Sequence, residues 1–352
     1  MDLQQRINAF VKLGLFLGQF SKNDNEKNDS LEANDLFYDG FKHQIKLARE
    51  HNGWFTDDNI YFALDSWSNA LIHRKINKWL SKYSFNSNAL KCVAIIMAGN
   101  IPLVGFHDFI SALISGHDIL VKQSSNDRHL LPYLTKYLET IEPGFKGKIK
   151  FTQEKLTNYD TVIATGSNNT ARYFEYYFKD KPAIIRKNRN SVAVLQGNES
   201  IEELEALSND IFRYYGLGCR SVSKLFVPKD YNFDTFFSAV YKWHPIIHET
   251  KYANNYDYNK AVYLMSEFDM LENGFLMLKE DKSYASPIAT VFYEFYENEE
   301  SLREKLKKDK DSIQCIVSKD FIDGEVAFGE TQKPELWDYA DNIDTVEFLL
   351  KT

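Results

Sequence analysis

Cysteine is scarce in this sequence, with three residues among 352. Because the number is odd and the cysteines are widely spaced, we expect no disulfide framework and predict a reducing, cytoplasmic location. Long uncharged apolar runs are missing as well, and no segment approaches the roughly 20 residues that a membrane-spanning helix needs. The N-terminal run "MDLQQRINAFVKLGLFLGQF" contains Asp2 and Lys12 and lacks a cleavage site of small residues. It predicts an amphipathic helix rather than a signal peptide.

An excess of positive charge is also absent, because 42 Lys and Arg residues against 50 Asp and Glu residues give a net charge of -8. Such a chain is repelled by phosphate backbones, which disfavours nucleic acid as a partner. No complete G-x-G-x-x-G motif occurs, since "GLGC" (216–219) lacks the third glycine and does not follow a predicted strand. His244 and His248 lie four residues apart, but Pro245 separates them and the glutamate of H-E-x-x-H is missing. We therefore predict no metal site.

The length and the hydrophobic pattern together predict two α/β domains. A chain of 352 residues exceeds what one hydrophobic core usually organises. Residues 1–90 carry apolar residues at helical intervals, which predicts a helical region that packs on the domain after it. Later, uniformly apolar strand patterns alternate with helical ones, as in parallel sheets covered on both faces. We place doubly wound α/β domains at 91–190 and 191–330, and a C-terminal tail at 331–352.

Polar residues follow two of the predicted strands in the first α/β domain. Asn100 comes just after the apolar run "CVAIIMAG", and Lys122 ends the run "DILVK". Because the carboxyl ends of parallel strands share one edge of a sheet, we expect both residues at that edge. The asparagine amide could donate to an oxyanion, and the lysine could reach a ribose or a phosphate. Taken singly, they also fit a turn asparagine and a surface lysine.

The segment "DTVIATGSNNTARYF" is a candidate phosphate-binding turn. A predicted strand ends at Gly166, and a predicted helix begins within the polar residues from Ser167 to Thr170. The free N–H groups at such a helix start can bind a phosphate at the carboxyl edge of the sheet. The alternative is a capped turn between strand and helix that binds no ligand.

Cys219 differs from the other two cysteines. Cys92 and Cys315 lie inside apolar strand patterns, where a cysteine packs as a small inert side chain. Cys219 lies in the glycine-containing turn "YYGLGCRSV", next to Arg220, whose positive charge would favour a thiolate. The alternative is a loop cysteine that happens to neighbour an arginine.

Taken together and in this order, these motifs resemble the aldehyde dehydrogenase superfamily. More narrowly, the chain from residue 90 onward is similar to the LuxC-type fatty-acyl reductases, an acyl-CoA reductase family. The resemblance rests on "AGNIPLVG", "ILVKQSS", "ATGSNNTARYF", "IIRKNRNSVAVL" and above all "DIFRYYGLGCRSVSKLFVP". It implies an aldehyde dehydrogenase-like fold with the active site in the cleft between two domains, of which 91–190 binds the cofactor and 191–330 carries the nucleophile.

The resemblance also implies roles for single residues. Cys219 matches the family's nucleophile, and Asn100 matches the asparagine that forms the oxyanion hole with the backbone N–H of the cysteine. Lys122 and Ser124 match the segment that holds the adenine ribose and its substituents. Gly166 and Ser167 match the turn at the pyrophosphate.

Two departures from the superfamily pattern refine the implied activity. Hydrolytic aldehyde dehydrogenases carry a water-activating glutamate thirty-odd residues before the cysteine, whereas this chain reads "AIIRKNRN" there, without an acid. Where many relatives have a glutamate that repels a 2′-phosphate, this chain reads "KQSS" after the strand. We therefore predict NADPH, with NADH as the alternative, and reduction of an acyl thioester to an aldehyde through an acyl-cysteine.

Three alternatives follow from the same residues. The chemistry could run oxidatively, as in a CoA-acylating aldehyde dehydrogenase. The glutamate that commonly contacts the nicotinamide ribose is missing around Pro287, in "KSYASPIA", which leaves open a catalytically weak nucleotide-binding interaction protein. The acyl donor could be CoA, a carrier protein or an acyl-transferring partner protein, and a homo-oligomer stays open.

Overall fold

A computed structural model describes residues 1–21, 26–85 and 90–352. The chain forms two compact units: residues 1–187 together with 335–352 make the first, and 188–334 make the second. The predicted helical region 1–90 includes residues 22–25 and 86–89, which lie outside the described part. Its helices belong to the first unit, as do the last 18 residues of the chain, 335–352.

The first unit contains a five-stranded parallel sheet. Its strands are β1 (Cys92–Ile96), β2 (Asp118–Lys122), β3 (Ile149–Phe151), β4 (Thr161–Thr165) and β5 (Ala183–Arg186). The strand order is β3-β2-β1-β4-β5, and all four pairings are parallel. The order reverses between β1 and β4, and in open α/β sheets such a reversal leaves a crevice at the carboxyl ends of the strands.

Helices of the first unit come from both ends of the chain. They are α1 (Leu3–Gly18), α2 (Asn34–His51), α3 (Asp57–Ala70), α4 (His73–Leu80), α5 (Phe106–Ile114), α6 (Leu130–Ile141), α7 (Asn168–Tyr177) and α12 (Thr345–Lys351). The predicted N-terminal amphipathic helix is confirmed as α1: Asp2 and Gln5 form a capping box, and Phe10, Phe16 and Leu17 are fully buried. Trp79 of α4 donates to the Tyr339 hydroxyl over 2.6 Å, which joins the N-terminal helices to the C-terminal segment.

The second unit contains a six-stranded sheet in the order β11-β6-β7-β10-β9-β8. The strands are β6 (Asn190–Val194), β7 (Val222–Pro228), β8 (Met270–Glu272), β9 (Met277–Glu280), β10 (Thr290–Tyr296) and β11 (Ile313–Val317). They are parallel except for the β8–β9 pair. The helices are α8 (Ile201–Phe212), α9 (Phe233–Val240), α10 (Thr250–Met265) and α11 (Glu299–Lys308). The predicted class, two doubly wound α/β domains, is confirmed by these sheets.

Two local predictions differ from the structure. The run "PAIIRKNRNSVAVLQG" reads as one return to strand, but the chain forms β5 and β6 there, in different sheets and different units. The sequence between Pro228 and about residue 282 predicts helices, but this segment also contains the short strands β8 and β9. No helix within the described ranges is long and apolar enough to cross a membrane.

Candidate functional site

The carboxyl edge of the first sheet brings several predicted site residues together. Ile96, the last residue of β1, pairs with Lys122 on one side and with Ala164 of β4 on the other. Asn100 follows β1 by four residues and is half-buried. The chain after these three strands therefore leaves the sheet on one edge, as the sequence predicts.

The turn after β4 fits a pyrophosphate. Ser167 is the N-cap of α7, where its hydroxyl accepts from the Thr170 N–H over 3.2 Å, and the first turn of the helix has no acidic residue. A Cβ at Gly166 would lie 3.0 Å from the Phe174 ring and 3.1 Å from Thr170, so a larger residue would have to displace one of these side chains. Unpaired N–H groups at a helix start attract phosphate oxygens, and no carboxylate of that turn opposes them.

The loop after β2 packs against the loop after β1. A Cβ at Gly99 would lie 2.5 Å from the Ser124 hydroxyl oxygen, so the segment that carries Asn100 touches the segment predicted to hold the adenine ribose. The Ser124 hydroxyl accepts from the Asn126 N–H, and the Lys122 ammonium donates to the Glu154 carbonyl over 3.0 Å. The two loops thus form one polar surface beside the Gly166 turn.

A buried carboxylate, Asp127, holds these two loops together. Its Oδ2 accepts from the Leu103 N–H over 2.8 Å, and Leu103 has a left-handed φ of 56°. Within the described part of the chain, Oδ1 has no hydrogen-bond partner. Burial raises the pKa of Asp127 to about 6, and the Leu103 hydrogen bond offsets only part of that shift. Nothing in "KQSSND" predicts this role, because the partner lies 24 residues earlier.

Replacing Asp127 with asparagine is expected to stabilise the chain above pH 7 and to leave it nearly unchanged near pH 4. Since the folded-state pKa lies above the ordinary value of 3.8, the folded chain binds the proton more tightly than the unfolded one. Stability therefore falls as pH rises from about 4 through about 6, by up to about 3 kcal/mol for this group. Urea unfolding at pH 4 and pH 8 measures the change in the free energy of unfolding, with the exposed Asp180→Asn variant as the control. Equal changes for Asp127→Asn at the two pH values would contradict the prediction.

Cys219 lies in a tight turn directly before β7 in the second unit. The turn is closed by the Ser221 N–H, which donates to the Gly218 carbonyl over 3.0 Å. The Ser191 hydroxyl of β6 donates to the Cys219 carbonyl over 3.0 Å, and Gln332 Nε2 donates to the Ser221 hydroxyl over 3.3 Å. Hydrogen bonds from two other segments thus hold the Cys219 carbonyl and the Ser221 hydroxyl.

Cys219 is the exposed one of the three cysteines, all of which are described and free of disulfides. Cys315 is buried, as the sequence predicts, and Arg220 Nη1 lies 3.4 Å from its sulfur. The Arg220 guanidinium thus contacts β11, the strand that pairs with β6. Burial raises the pKa of the half-buried Cys92, and the nearby carboxylates Asp118 and Asp160 raise it further. Cys92 is therefore a poor thiolate at neutral pH.

The chain enters the Cys219 turn through an unusual backbone. Tyr214, Tyr215 and Gly216 have consecutive left-handed φ angles of 55°, 58° and 73°. For the two tyrosines this conformation costs on the order of 1 kcal/mol each, and it persists only where the surrounding packing enforces it. Tyr215 and Gly216 line a small cavity of about 30 Å³ that also touches Pro287 and Ile288, the segment that lacks the superfamily glutamate. The sequence shows the glycines here but not the left-handed tyrosines.

The described residues include no group of three or more His, Cys, Asp and Glu side chains that could hold a metal ion. His244 and His248 lie in a 3-10 helix that also contains Pro245, and their rings are 6.0 Å apart. The two rings are neighbours, but among the described residues no third His, Cys, Asp or Glu joins them in a possible metal site.

Residues 69–238 match the model of a protein family described as acyl-CoA reductase (LuxC). The matched range includes Asn100, Lys122, Gly166 and Cys219. No curated protein sequence matches the chain significantly.

Solved aldehyde dehydrogenases share the fold. Aldehyde dehydrogenase 21 from Physcomitrella patens, in complex with succinate, aligns with a TM-score of 0.68 and 12% identity, over 100% of this chain and 84% of that one. Indole-3-acetaldehyde dehydrogenase from P. syringae, with NAD⁺ and IAA, aligns with a TM-score of 0.65 and 12% identity, over 90% and 72%. An aldehyde dehydrogenase from Bacillus cereus, with NAD⁺, has a TM-score of 0.62 and 16% identity, over 90% and 72%. At such low identity the likeness shows the fold, which is aldehyde dehydrogenase-like.

Proposed function

We propose that this oxidoreductase reduces an acyl thioester to an aldehyde with NADPH, because residues 69–238 match the model of the acyl-CoA reductase (LuxC) family. The observation that carries the proposal is the exposed residue Cys219 in a turn that is closed by a backbone hydrogen bond and held by Ser191 at the Cys219 carbonyl. An exposed sulfur can be reached by a thioester, and a fixed backbone holds it in one orientation. Since a thiol nucleophile must stay reduced, we also propose a cytoplasmic location.

In the proposed mechanism the Cys219 thiolate attacks the thioester carbonyl carbon. A new carbon–sulfur bond forms, the bond to CoA or a carrier thiol breaks, and the departing thiolate takes up a proton. The Asn100 amide and the Cys219 backbone N–H donate to the oxyanion while it carries the charge. Lys122, Ser124, Gly166 and Ser167 would hold NADPH, which would supply a hydride for reduction of the acyl-cysteine. The resulting thiohemiacetal expels Cys219 as thiolate and leaves the aldehyde.

The segment before β6 supports reduction rather than hydrolysis. The stretch 183–190 contains no acid, and its Arg186 is buried and paired with Asp108 over 2.6 Å. Arg186 also donates to the Ala340 carbonyl and to the Thr345 hydroxyl. A guanidinium committed in this way cannot serve as a general base, so an acyl-cysteine would wait for hydride instead of water.

A panel of acyl-CoA thioesters of increasing chain length, with NADPH, tests the proposal directly. Consumption of NADPH should equal the free thiol and the aldehyde that are released, and without NADPH a mass spectrum should show one acyl group on Cys219. An acyl-carrier thioester run in parallel distinguishes the donors. No thiol release with any donor, or faster turnover of aldehyde with NAD⁺ and CoA, would overturn the proposed reaction or its direction.

Replacing Asn100 with alanine is expected to lower kcat by about 10²- to 10³-fold and to change KM for the thioester by less than about threefold. The side-chain amide is proposed to act on the oxyanion, which exists only in the transition state and the intermediates, so substrate binding is spared. Steady-state kinetics measures both constants. The exposed Asn69→Ala is the matched control, and an Asn100 variant with wild-type kcat would remove this residue from the mechanism.

The loop after β2 offers a positive charge that favours NADPH over NADH. Arg128 donates to His51 Nδ1 over 3.2 Å, and His51 Nε2 lies 2.8 Å from the Ser125 carbonyl. Because a carbonyl only accepts, His51 donates from Nε2 and receives from Arg128 at Nδ1, which fixes the guanidinium on the loop that carries Ser124. An arginine near the adenine ribose can accommodate a 2′-phosphate.

Replacing Arg128 with alanine should therefore raise KM for NADPH by about tenfold and leave KM for NADH unchanged, since one charge-assisted contact is worth about 1.4 kcal/mol. The matched control is Arg172→Ala, an exposed arginine on α7. Equal increases for the two cofactors would show that Arg128 does not read the 2′-phosphate.

A further inference from the structure

A carboxylate nine residues before Cys219, Asp210, is connected to the Cys219 turn through hydrogen bonds with a distant segment. Asp210, in the last turn of α8, has no exposed surface. It accepts from the Gly329 N–H over 2.6 Å, from the Thr331 N–H over 3.0 Å and from the Thr331 hydroxyl over 2.8 Å. Three donors on one buried carboxylate fix residues 329–331 against the helix, because hydrogen bonds to an ionised acceptor are the stronger ones.

The backbone conformation of Gly329 allows the segment 329–331 to lie close to α8. Gly329 has a left-handed φ of 85°, and a Cβ there would lie 3.1 Å from the Ala206 Cβ of the same helix. A side chain at this position would be strained twice, by its φ angle and by its contact with α8. The segment therefore lies on α8 at one register, with Thr331 fully buried.

The next residue along the chain, Gln332, reaches the nucleophile turn. Its Nε2 donates to the Ser221 hydroxyl, and its Oε1 would lie 3.8 Å from a Cβ placed at Gly218. One side chain thus spans both ends of the turn Gly218–Ser221, which carries Cys219. Gln332 is 7% exposed and Ser221 is 2% exposed, so water does not compete for this contact.

We propose that Asp210 and Gln332 are positioning residues for the nucleophile: Asp210 fixes the 329–331 segment, and that segment places Gln332 across the turn that orients Cys219. Neither residue touches the substrate in this scheme. The inference rests on the proposed role of Cys219 and extends it to Asp210, nine residues earlier, and to Gln332, more than 100 residues later.

A double-mutant cycle on Gln332 and Ser221 tests the proposal. Gln332→Ala and Ser221→Ala should each lower the single-turnover acylation rate by about 10- to 100-fold, since small misplacements of a reacting group cost this much. KM for NADPH should stay within about twofold. Because both changes break one contact, the double variant should be no slower than the slower single variant. Lys333→Gln, at the exposed neighbouring residue, is the matched control and should keep the wild-type rate.

A second readout separates positioning from mere folding and does not depend on the reaction. Peptide-resolved alkylation of Cys219 by iodoacetamide, followed from pH 5 to pH 10, reports the reactivity and the titration midpoint of this thiol alone. Gln332→Ala, Ser221→Ala and Asp210→Asn should move the midpoint together, whereas Lys333→Gln should not. If Asp210→Asn does not fold, the alkylation profiles of Gln332→Ala and Ser221→Ala still test whether this contact orients Cys219.

Two results would overturn the proposal: multiplicative rate losses in the double variant, or wild-type alkylation profiles in folded Gln332→Ala and Ser221→Ala. Failure of the proposed function gives a different pattern, in which the wild-type chain forms no acyl adduct. The alkylation profiles then decide on positioning by themselves.

Discussion

Replacing Cys219 with serine is expected to reduce thioester reduction by about 10³-fold or more, at an unchanged melting temperature. A hydroxyl has almost the size of a thiol, but it is hardly ionised at neutral pH and needs a general base to attack. Ser191 and Gln332, which hydrogen-bond to the turn, are not general bases of this kind. Reductase assays, and mass spectra of the chain incubated with acyl-CoA alone, measure the two consequences.

Cys92→Ser is the matched control for this experiment, since Cys92 lies at the start of β1 and its thiol is the one that burial keeps protonated. It should keep both the activity and the acyl adduct. A Cys219→Ser chain that still reduces thioesters at the wild-type rate would leave the proposed nucleophile without support.

Replacing Arg186 with methionine should lower the free energy of unfolding by about 3 to 5 kcal/mol, the largest stability effect that we expect. Arg186 ends β5 and is 5% exposed, and its partner Asp108 on α5 is 7% exposed. Removing the guanidinium leaves a buried carboxylate without its countercharge and frees the Ala340 carbonyl and the Thr345 hydroxyl. Tryptophan fluorescence during urea unfolding is a suitable measurement, because four of the five tryptophans lie in the first unit.

Adding Asp108→Leu to the Arg186 variant should recover most of the loss, because the second change removes the uncompensated charge. Arg74→Met, at an exposed arginine, should change stability by less than about 0.5 kcal/mol. An Arg186 variant as stable as the Arg74 control would mean that the ion pair contributes nothing to the first unit.

Much of the fold follows from short-range patterns in the sequence. Alternating apolar strand and helix patterns predict both parallel sheets, and the polar residues after β1, β2 and β4 predict the shared edge. The passage from the first sheet to the second has no such pattern. Only Lys187, Asn188 and Arg189 separate β5 from β6, and no local signal tells that the two strands enter different sheets.

The residues of the candidate site also fall into two groups, those that short motifs predict and those that depend on distant partners. Cys219, Asn100 and Gly166 can be found because each lies in a motif of a few residues. Asp127 and Asp210 cannot, because their roles depend on partners 24 and more than 100 residues away. The one local signal for Asp210 is an acid three residues after the buried Leu207, among the apolar positions of α8. Such an acid is unusual enough to suggest a buried partner, but the sequence does not identify it.

The first unit is discontinuous in sequence, which affects the order in which the protein folds during its synthesis. Residues 1–187 leave the ribosome first, yet Arg186 meets Ala340 and Thr345 only after residues 188–334 have been synthesised. At roughly 5 to 20 residues per second this takes on the order of 10 s. During that time the surfaces that residues 335–352 later cover are exposed to solvent and to chaperones. Trp79 and Arg186 belong to these surfaces. The second unit is continuous in sequence, and so it can complete its fold before the unit that began earlier.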